Sequence, residues 1–270
     1  KKEFNVSIVN DVIPDYSWFD LDVYKWEDGK LILSYEMWEW CKNNCFYCYN
    51  IHKWGNFFTK DVAKIVRELK FLRENYETSL INMNDCEINY SSEFLEGFAD
   101  ALVQNDLWIY WSALIVPKEL NREVLESLYE SWCRQLRFWV ESWSQRILDV
   151  IWKWTNLDEI VQILSDCKDI WISTYASFIV DLPQEVNEDI KLTMEFIYRN
   201  KVLFDNIIVC AYNTHIWNFD LRYLKYLMWM SDYDFCRTKR LSRKRLLLRQ
   251  FCDKLWIYNV DVINFWRENY

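Results

Sequence analysis

The sequence predicts an α/β fold, with about six parallel strands alternating with helices and curling into a partial or full (β/α) barrel. Three observations predict it. Short apolar, strand-like runs alternate with amphipathic helical patterns along the chain. The connections between them are short, as βαβ units require. The chain has 270 residues, 51% of them apolar, enough for one large core or two small ones.

Taken in order, Lys30-Leu-Ile-Leu-Ser-Tyr35 reads as the first strand, and a cysteine-bearing loop follows it. Thr59 then caps a helix whose apolar positions Val62, Ile65, Val66, Leu69 and Leu72 keep a helical period. Ser79 to Asn84 is the second strand, Ser91 to Gln104 a helix, and Leu107 to Leu114 the third strand. Asn121 caps a helix carrying Val124, Leu125 and Leu128, and Gln135 to Val140 is the fourth strand. Helices follow near Ser144 to Ile151 and Leu157 to Cys167, and Ile172 to Val180 is the fifth strand. Asn187 caps a helix with Ile190, Met194 and Ile197, and Asp205 to Ala211 is the sixth strand. Right-handed crossovers point all strands one way, so their C-terminal ends share the face where connecting loops build a site. The cysteine loop falls on that face. The expected organisation is a linker over 1–29, a core over 30–220 and a helical tail over 221–270.

Composition narrows the function classes. A net charge of −9 disfavours general nucleic-acid binding, and the run Arg237-Thr-Lys-Arg-Leu-Ser-Arg-Lys-Arg245 reads as a solvated helix face. No stretch is apolar for long enough to span a membrane. The chain begins Lys1-Lys2-Glu3-Phe4, without Met or a signal-peptide core, so it is expected to start inside a longer protein. Its 9 cysteines, with no secretory signal, suggest reduced thiols and a cytoplasmic location.

Glycine is scarce. The chain has 3 Gly and 17 Trp, against roughly 19 Gly expected for its length at about 7% usage. Several Trp stand in polar, turn-like contexts, as in Glu141-Ser142-Trp143-Ser144 and Trp152-Lys153-Trp154-Thr155. This pattern is what a gene decoding UGA as glycine gives when UGA is read as Trp. Trp111, in the strand-like Ile109-Tyr-Trp-Ser-Ala113, reads as a true tryptophan.

Cys41-Lys-Asn-Asn-Cys45-Phe-Tyr-Cys48 is a CxxxCxxC triplet. Three thiolates can hold three irons of a 4Fe-4S cube and leave the fourth iron without a protein ligand. Soft thiolates also suit zinc, which asks for a fourth ligand, and His52 is the nearest candidate. Cys86, Cys133, Cys167, Cys210, Cys236 and Cys252 show no CxxC pairing and read as core residues, and His215 reads as structural.

With its strand–loop–helix context, the triplet resembles the radical S-adenosylmethionine (SAM) superfamily. Trp40-Cys41 resembles that family's Gly-Cys pair, and Trp132-Cys133 through Glu141-Ser142-Trp143-Ser144-Gln145 resembles its "GC…FGVESGSQ" segment, with Trp at each glycine. Ser177-Phe-Ile-Val-Asp-Leu-Pro-Gln-Glu185 resembles "sFIvGLPgE", with Asp181 at a glycine position. Ile13 to Asp20 looks like the linker ahead of the core in cobalamin-binding members. The likeness runs from about residue 10 to 220 and implies the radical SAM core fold. It implies a cluster on Cys41, Cys45 and Cys48 whose open iron binds the methionine amino and carboxylate groups of SAM. It further implies that Tyr47 presents backbone to the adenine, that Asn84 and Asp85 meet the ammonium, and that Glu141 and Ser142 reach the ribose. Lys153 would pair with the carboxylate, and Leu182 and Pro183 would line the adenine. No catalytic side chain beyond these is assigned.

The implied partners are a small-molecule substrate, an electron donor such as flavodoxin or ferredoxin, and cobalamin if a binding domain precedes residue 1. Two other readings stand beside this one. A methylthiotransferase would add a cysteine-rich domain upstream and an RNA-binding domain downstream. A zinc-stabilised, aromatic-rich binding module would hold zinc without iron or sulfide.

Overall fold

The structure, a computed structural model, describes residues 13–25, 29–39, 41–43, 45, 47–48, 58–153, 155–182 and 184–212. The basic run, the helical tail, His52, His215, Cys236, Cys252 and Pro183 lie outside the described residues. Six strands form one parallel sheet in the order β1-β4-β5-β6-β7-β8, the α/β class the sequence predicts. The chain divides into two compact units, residues 1–42, 55–136 and 169–172, and residues 43–54, 137–168 and 173–270.

In the first unit, β1 (Ile32–Tyr35) pairs with β4 (Leu80–Met83), and β4 pairs with β5 (Tyr110–Ile115). Apolar alternation fixes the register: Leu33 lies opposite Ile81 and Tyr35 opposite Met83, all buried. Helices α1 (Val62–Tyr76), α2 (Ser92–Gln104) and α3 (Arg122–Glu130) bury Ile65 and Leu69, Leu95 and Phe98, and Val124 and Leu125. Ser91 and Asn121 cap α2 and α3, accepting from Phe94 N and Val124 N at 3.3 and 2.9 Å. The cap of α1 is Asp61, which accepts from Lys64 N at 2.7 Å, and not Thr59. Thr59 is instead taken up in a two-residue antiparallel ladder, β2 (Trp38–Glu39) with β3 (Phe58–Thr59), which brackets the cysteine loop. Trp111 is fully buried; its Nε1 donates to Ser131 O at 2.9 Å and its ring meets Phe98 edge-on.

The strand β6 (Cys133–Glu141) leads into the second unit, where β7 (Ser173–Val180) pairs with β8 (Asn206–Ala211). Helices α4 (Gln145–Val150), α5 (Leu157–Ile170) and α6 (Asn187–Arg199) complete the alternation. Asn187 is the first residue of α6 and not its cap. The freed Val186 N–H is bound by Asp189, two residues inside, at 2.8 Å. Cys133 and Cys167 are core residues as expected, whereas Cys86, in the loop after β4, is half-buried. Cys210 is exposed, because it alternates with buried Val209 on the last strand of the sheet.

Among the described residues, three tryptophans take the left-handed backbone that favours glycine: Trp132 (φ 73°), Trp152 (φ 58°) and Trp171 (φ 70°). Each follows the end of a helix. At the end of α4, Trp152 N donates to Asp149 O at 3.2 Å and Lys153 N to Leu148 O at 3.0 Å. That paired pattern is the Schellman ending, whose left-handed position is usually glycine. Trp171 is 82% exposed, so no burial offsets its strain. Trp143 is stacked on Phe196 with centroids 3.1 Å apart, inside the optimal carbon contact of about 3.5 Å.

Candidate functional site

The segment leading into the cysteine loop is held by one buried carboxylate. Asp85, just past β4, accepts from Met37 N at 2.9 Å and from Trp38 N at 3.0 Å. Asn84 N donates to Tyr35 O at 2.8 Å, and Lys60 N to Met37 O at 3.0 Å, which fixes the exit of β1. Burial pushes the Asp85 carboxyl up to about 7, and the N–H groups of Trp38 and Met37 oppose that rise. Both oxygens of Asp85 are thus engaged by backbone, while Asn84 beside it is exposed. A buried charge cluster anchors the same region. Glu68 accepts from Tyr35 OH at 2.5 Å and Lys60 Nζ at 2.8 Å, with Lys64 Nζ at 3.1 Å. The Cys41 thiol donates to the buried Glu87 carboxylate at 3.2 Å.

In the second unit, Cys45 and Cys48 lie on one tight turn, closed by Cys48 N donating to Cys45 O at 3.0 Å. None of the three cysteines of the triplet is in a disulfide. Among the described residues, no group of three or more His, Cys, Asp or Glu forms a ready metal cage. Thiolate sites commonly complete their geometry on binding metal.

Tyr47, inside that turn, donates its hydroxyl to Glu141 Oε1 at 2.6 Å. Its ring packs on Ile147, Leu148, Ile151 and Leu182. Burial and the facing Glu141 carboxylate hold the Tyr47 hydroxyl well above its usual range, so it remains a proton donor. Glu141 ends β6 in left-handed backbone (φ 68°) and is 1% exposed. Lys153 Nζ stands 3.5 Å from the same Oε1. Glu141 Oε2 is buried and has no hydrogen-bond partner among the described residues. A buried carboxylate oxygen without a donor is costly, and a ligand hydroxyl placed there would satisfy it.

Ser142 is buried, and its Oγ accepts from Ser144 N at 3.2 Å at the start of α4. Ser144 in turn donates to Asp189 at 2.6 Å. Leu182 is core, and Asp181 before it takes φ 65°, a conformation Asp tolerates better than most residues. The structure therefore brings Tyr47, Glu141, Lys153 and Leu182 into one cluster and gives Ser142 a turn-closing bond. Glu87 and the Tyr47 phenol were not singled out from sequence. A lone Glu carries no partner signal, and an aromatic between two cysteines does not say where its hydroxyl points.

The sequence model of the Radical SAM superfamily matches residues 35–197. An uncharacterized methyltransferase of Pyrococcus horikoshii is 25% identical over 185 residues, 68% of this chain and 40% of that protein. A ribosomal protein uS12 methylthiotransferase of Clostridioides difficile is 25% identical over 190 residues, 65% of this chain and 41% of that protein. Among solved structures, the radical SAM methyltransferase TsrM from Kitasatospora setae, with cobalamin and a 4Fe-4S cluster bound, matches with a TM-score of 0.61 at 14% identity. That match covers 67% of this chain and 37% of TsrM. The chain spans about two fifths of the length of these curated relatives.

Proposed function

Because the chain belongs to the radical SAM superfamily, we propose that it is the catalytic core of a radical SAM enzyme, with Cys41, Cys45 and Cys48 holding one 4Fe-4S cluster. The observation that carries this reading is the buried, unpartnered Glu141 Oε2 beside the Cys45–Cys48 turn, since ribose hydroxyls are the donors it lacks. The triplet's thiols, at the family's spacing and outside any disulfide, supply soft ligands that suit iron and sulfide. Held by Cys41, Cys45 and Cys48, such a cluster would supply the single electron for reductive cleavage of SAM to methionine and a 5′-deoxyadenosyl radical.

The chain's own residues do the holding. Glu141 and Ser142 receive the ribose, the first by its open oxygen. Tyr47 offers backbone to the adenine, and Leu182 and Pro183 give it an apolar wall. Lys153 stands beside Glu141 at 3.5 Å and would pair with the cofactor carboxylate. Asp85 secures the loop backbone, which leaves exposed Asn84 as the group for the methionine ammonium.

The core is assigned to 30–220, with 1–29 as the linker that precedes it and 221–270 as a helical tail. The substrate is a small molecule, the reductant a flavodoxin or ferredoxin, and the compartment the cytoplasm. No helix among the described residues is long and apolar enough to cross a membrane. Likeness to the uS12 methylthiotransferase supports a second reading, methylthio transfer.

Electron paramagnetic resonance on anaerobically reconstituted, reduced protein tests the proposal. The expected result is a cluster signal that changes when SAM is added, because the open iron gains ligands. A signal that SAM leaves unmoved, or zinc in place of iron and sulfide, contradicts it.

A further inference from the structure

We infer that the Tyr47 hydroxyl is a positioning group for cofactor binding: it fixes the Glu141 carboxylate so that its second oxygen faces the ribose, and thereby ties the Cys45–Cys48 turn to cofactor affinity. This rests on the reading of Glu141 as the ribose acceptor. Tyr47 OH lies 2.6 Å from Oε1, while the buried Lys153 ammonium stands at 3.5 Å, so the phenol is the tighter of the two holds. The strand end contributes the rest. Glu141 sits in left-handed backbone, a strained conformation that persists where surrounding contacts over-determine it. With backbone and Oε1 both fixed, Oε2 has one direction left to face, and that oxygen is the one without a partner.

The Tyr47 ring is itself fixed against Ile147, Leu148, Ile151 and Leu182. The phenol therefore carries position from a packed core to the carboxylate, with no contact of its own to the ribose required. The link also runs backwards. Tyr47 lies between Cys45 and Cys48, so a cofactor that locks Glu141 also stabilises the turn that presents both thiols. Couplings between two sites are reciprocal.

The test is Tyr47→Phe in the reconstituted protein, with S-adenosylhomocysteine as the probe because it carries the same adenosine and is not cleaved. Tyr47→Phe is expected to keep the iron and sulfide content of the parent and to weaken probe binding about tenfold, the scale of one hydrogen bond to a charged group. In a Glu141→Ala background the same substitution should have no further effect. The penalty should also vanish for a probe lacking both ribose hydroxyls, a result that a general loss of structure would not give. Unchanged affinity in Tyr47→Phe overturns the inference. So does loss of iron in that variant, or an equal penalty in the Glu141→Ala background or with the hydroxyl-free probe. Failure of the parent itself to bind the probe would instead count against the functional reading beneath it.

Discussion

Cys45→Ala is expected to lose the iron of the reconstituted protein and its SAM cleavage together, by far more than the roughly 100-fold that removal of an outer-shell partner costs. Cys45 is buried on the turn that also carries Cys48, so alanine removes one of two thiols presented side by side. The cluster then retains two protein ligands at most, and the open corner that binds the cofactor is no longer defined. Cys133→Ala is the matched control. That thiol is fully buried in β6, burial pushes it well above its usual range, and it bonds to Gln135 O. Its loss should lower stability by about 1–2 kcal/mol, as a small cavity does, and leave iron content intact. Iron and sulfide assays with 5′-deoxyadenosine measurement check both. Iron retained in Cys45→Ala would contradict the assignment of the triplet.

Trp171→Gly is expected to stabilise the protein, against the usual cost of removing large apolar side chains. Left-handed backbone costs a side-chain-bearing residue roughly 1–2 kcal/mol, and glycine recovers it at an entropic cost of about 0.4–1 kcal/mol. Trp171 is 82% exposed, so little burial is lost. The net gain is about 1 kcal/mol, a rise of roughly 2–4 °C in Tm by thermal unfolding. Trp111→Gly should do the reverse, costing at least about 3–5 kcal/mol, because that ring is fully buried and its Nε1 is hydrogen-bonded. The same division should appear in the gene: UGA at 152 and 171, read as glycine by the host, and UGG at 111. UGG at 152 and 171, or a lower Tm for Trp171→Gly, would show genuine tryptophans that the fold accommodates.

Most of the fold was legible because each helix announces itself by period and cap. Asn121 caps as read, three residues before the N–H it binds, whereas Ser91, read as the first residue of its helix, caps it instead. Thr59 and Asn187 misled for one reason: a good capping residue lay within two positions of a better-placed acid, Asp61 or Asp189, and type alone does not fix register. The β2–β3 ladder has two residues per strand, too short for any alternation to register. At the site, the ligand types were legible and their partners were not. Asp85 reads from sequence as a polar group at a strand end, and only the fold shows both its oxygens facing the Met37 and Trp38 backbone. The left-handed tryptophans were legible only as a shortage of glycine, until the helix ends showed where the glycine conformation is required.

The central claim is that this chain splits SAM reductively on a cluster bound by three cysteines. The most direct measurement is product formation by anaerobically reconstituted, chemically reduced protein supplied with SAM and no substrate. The account predicts 5′-deoxyadenosine and methionine in equal amounts, dependent on reductant and absent without iron. A protein carrying its full complement of iron and sulfide that yields neither product would contradict it.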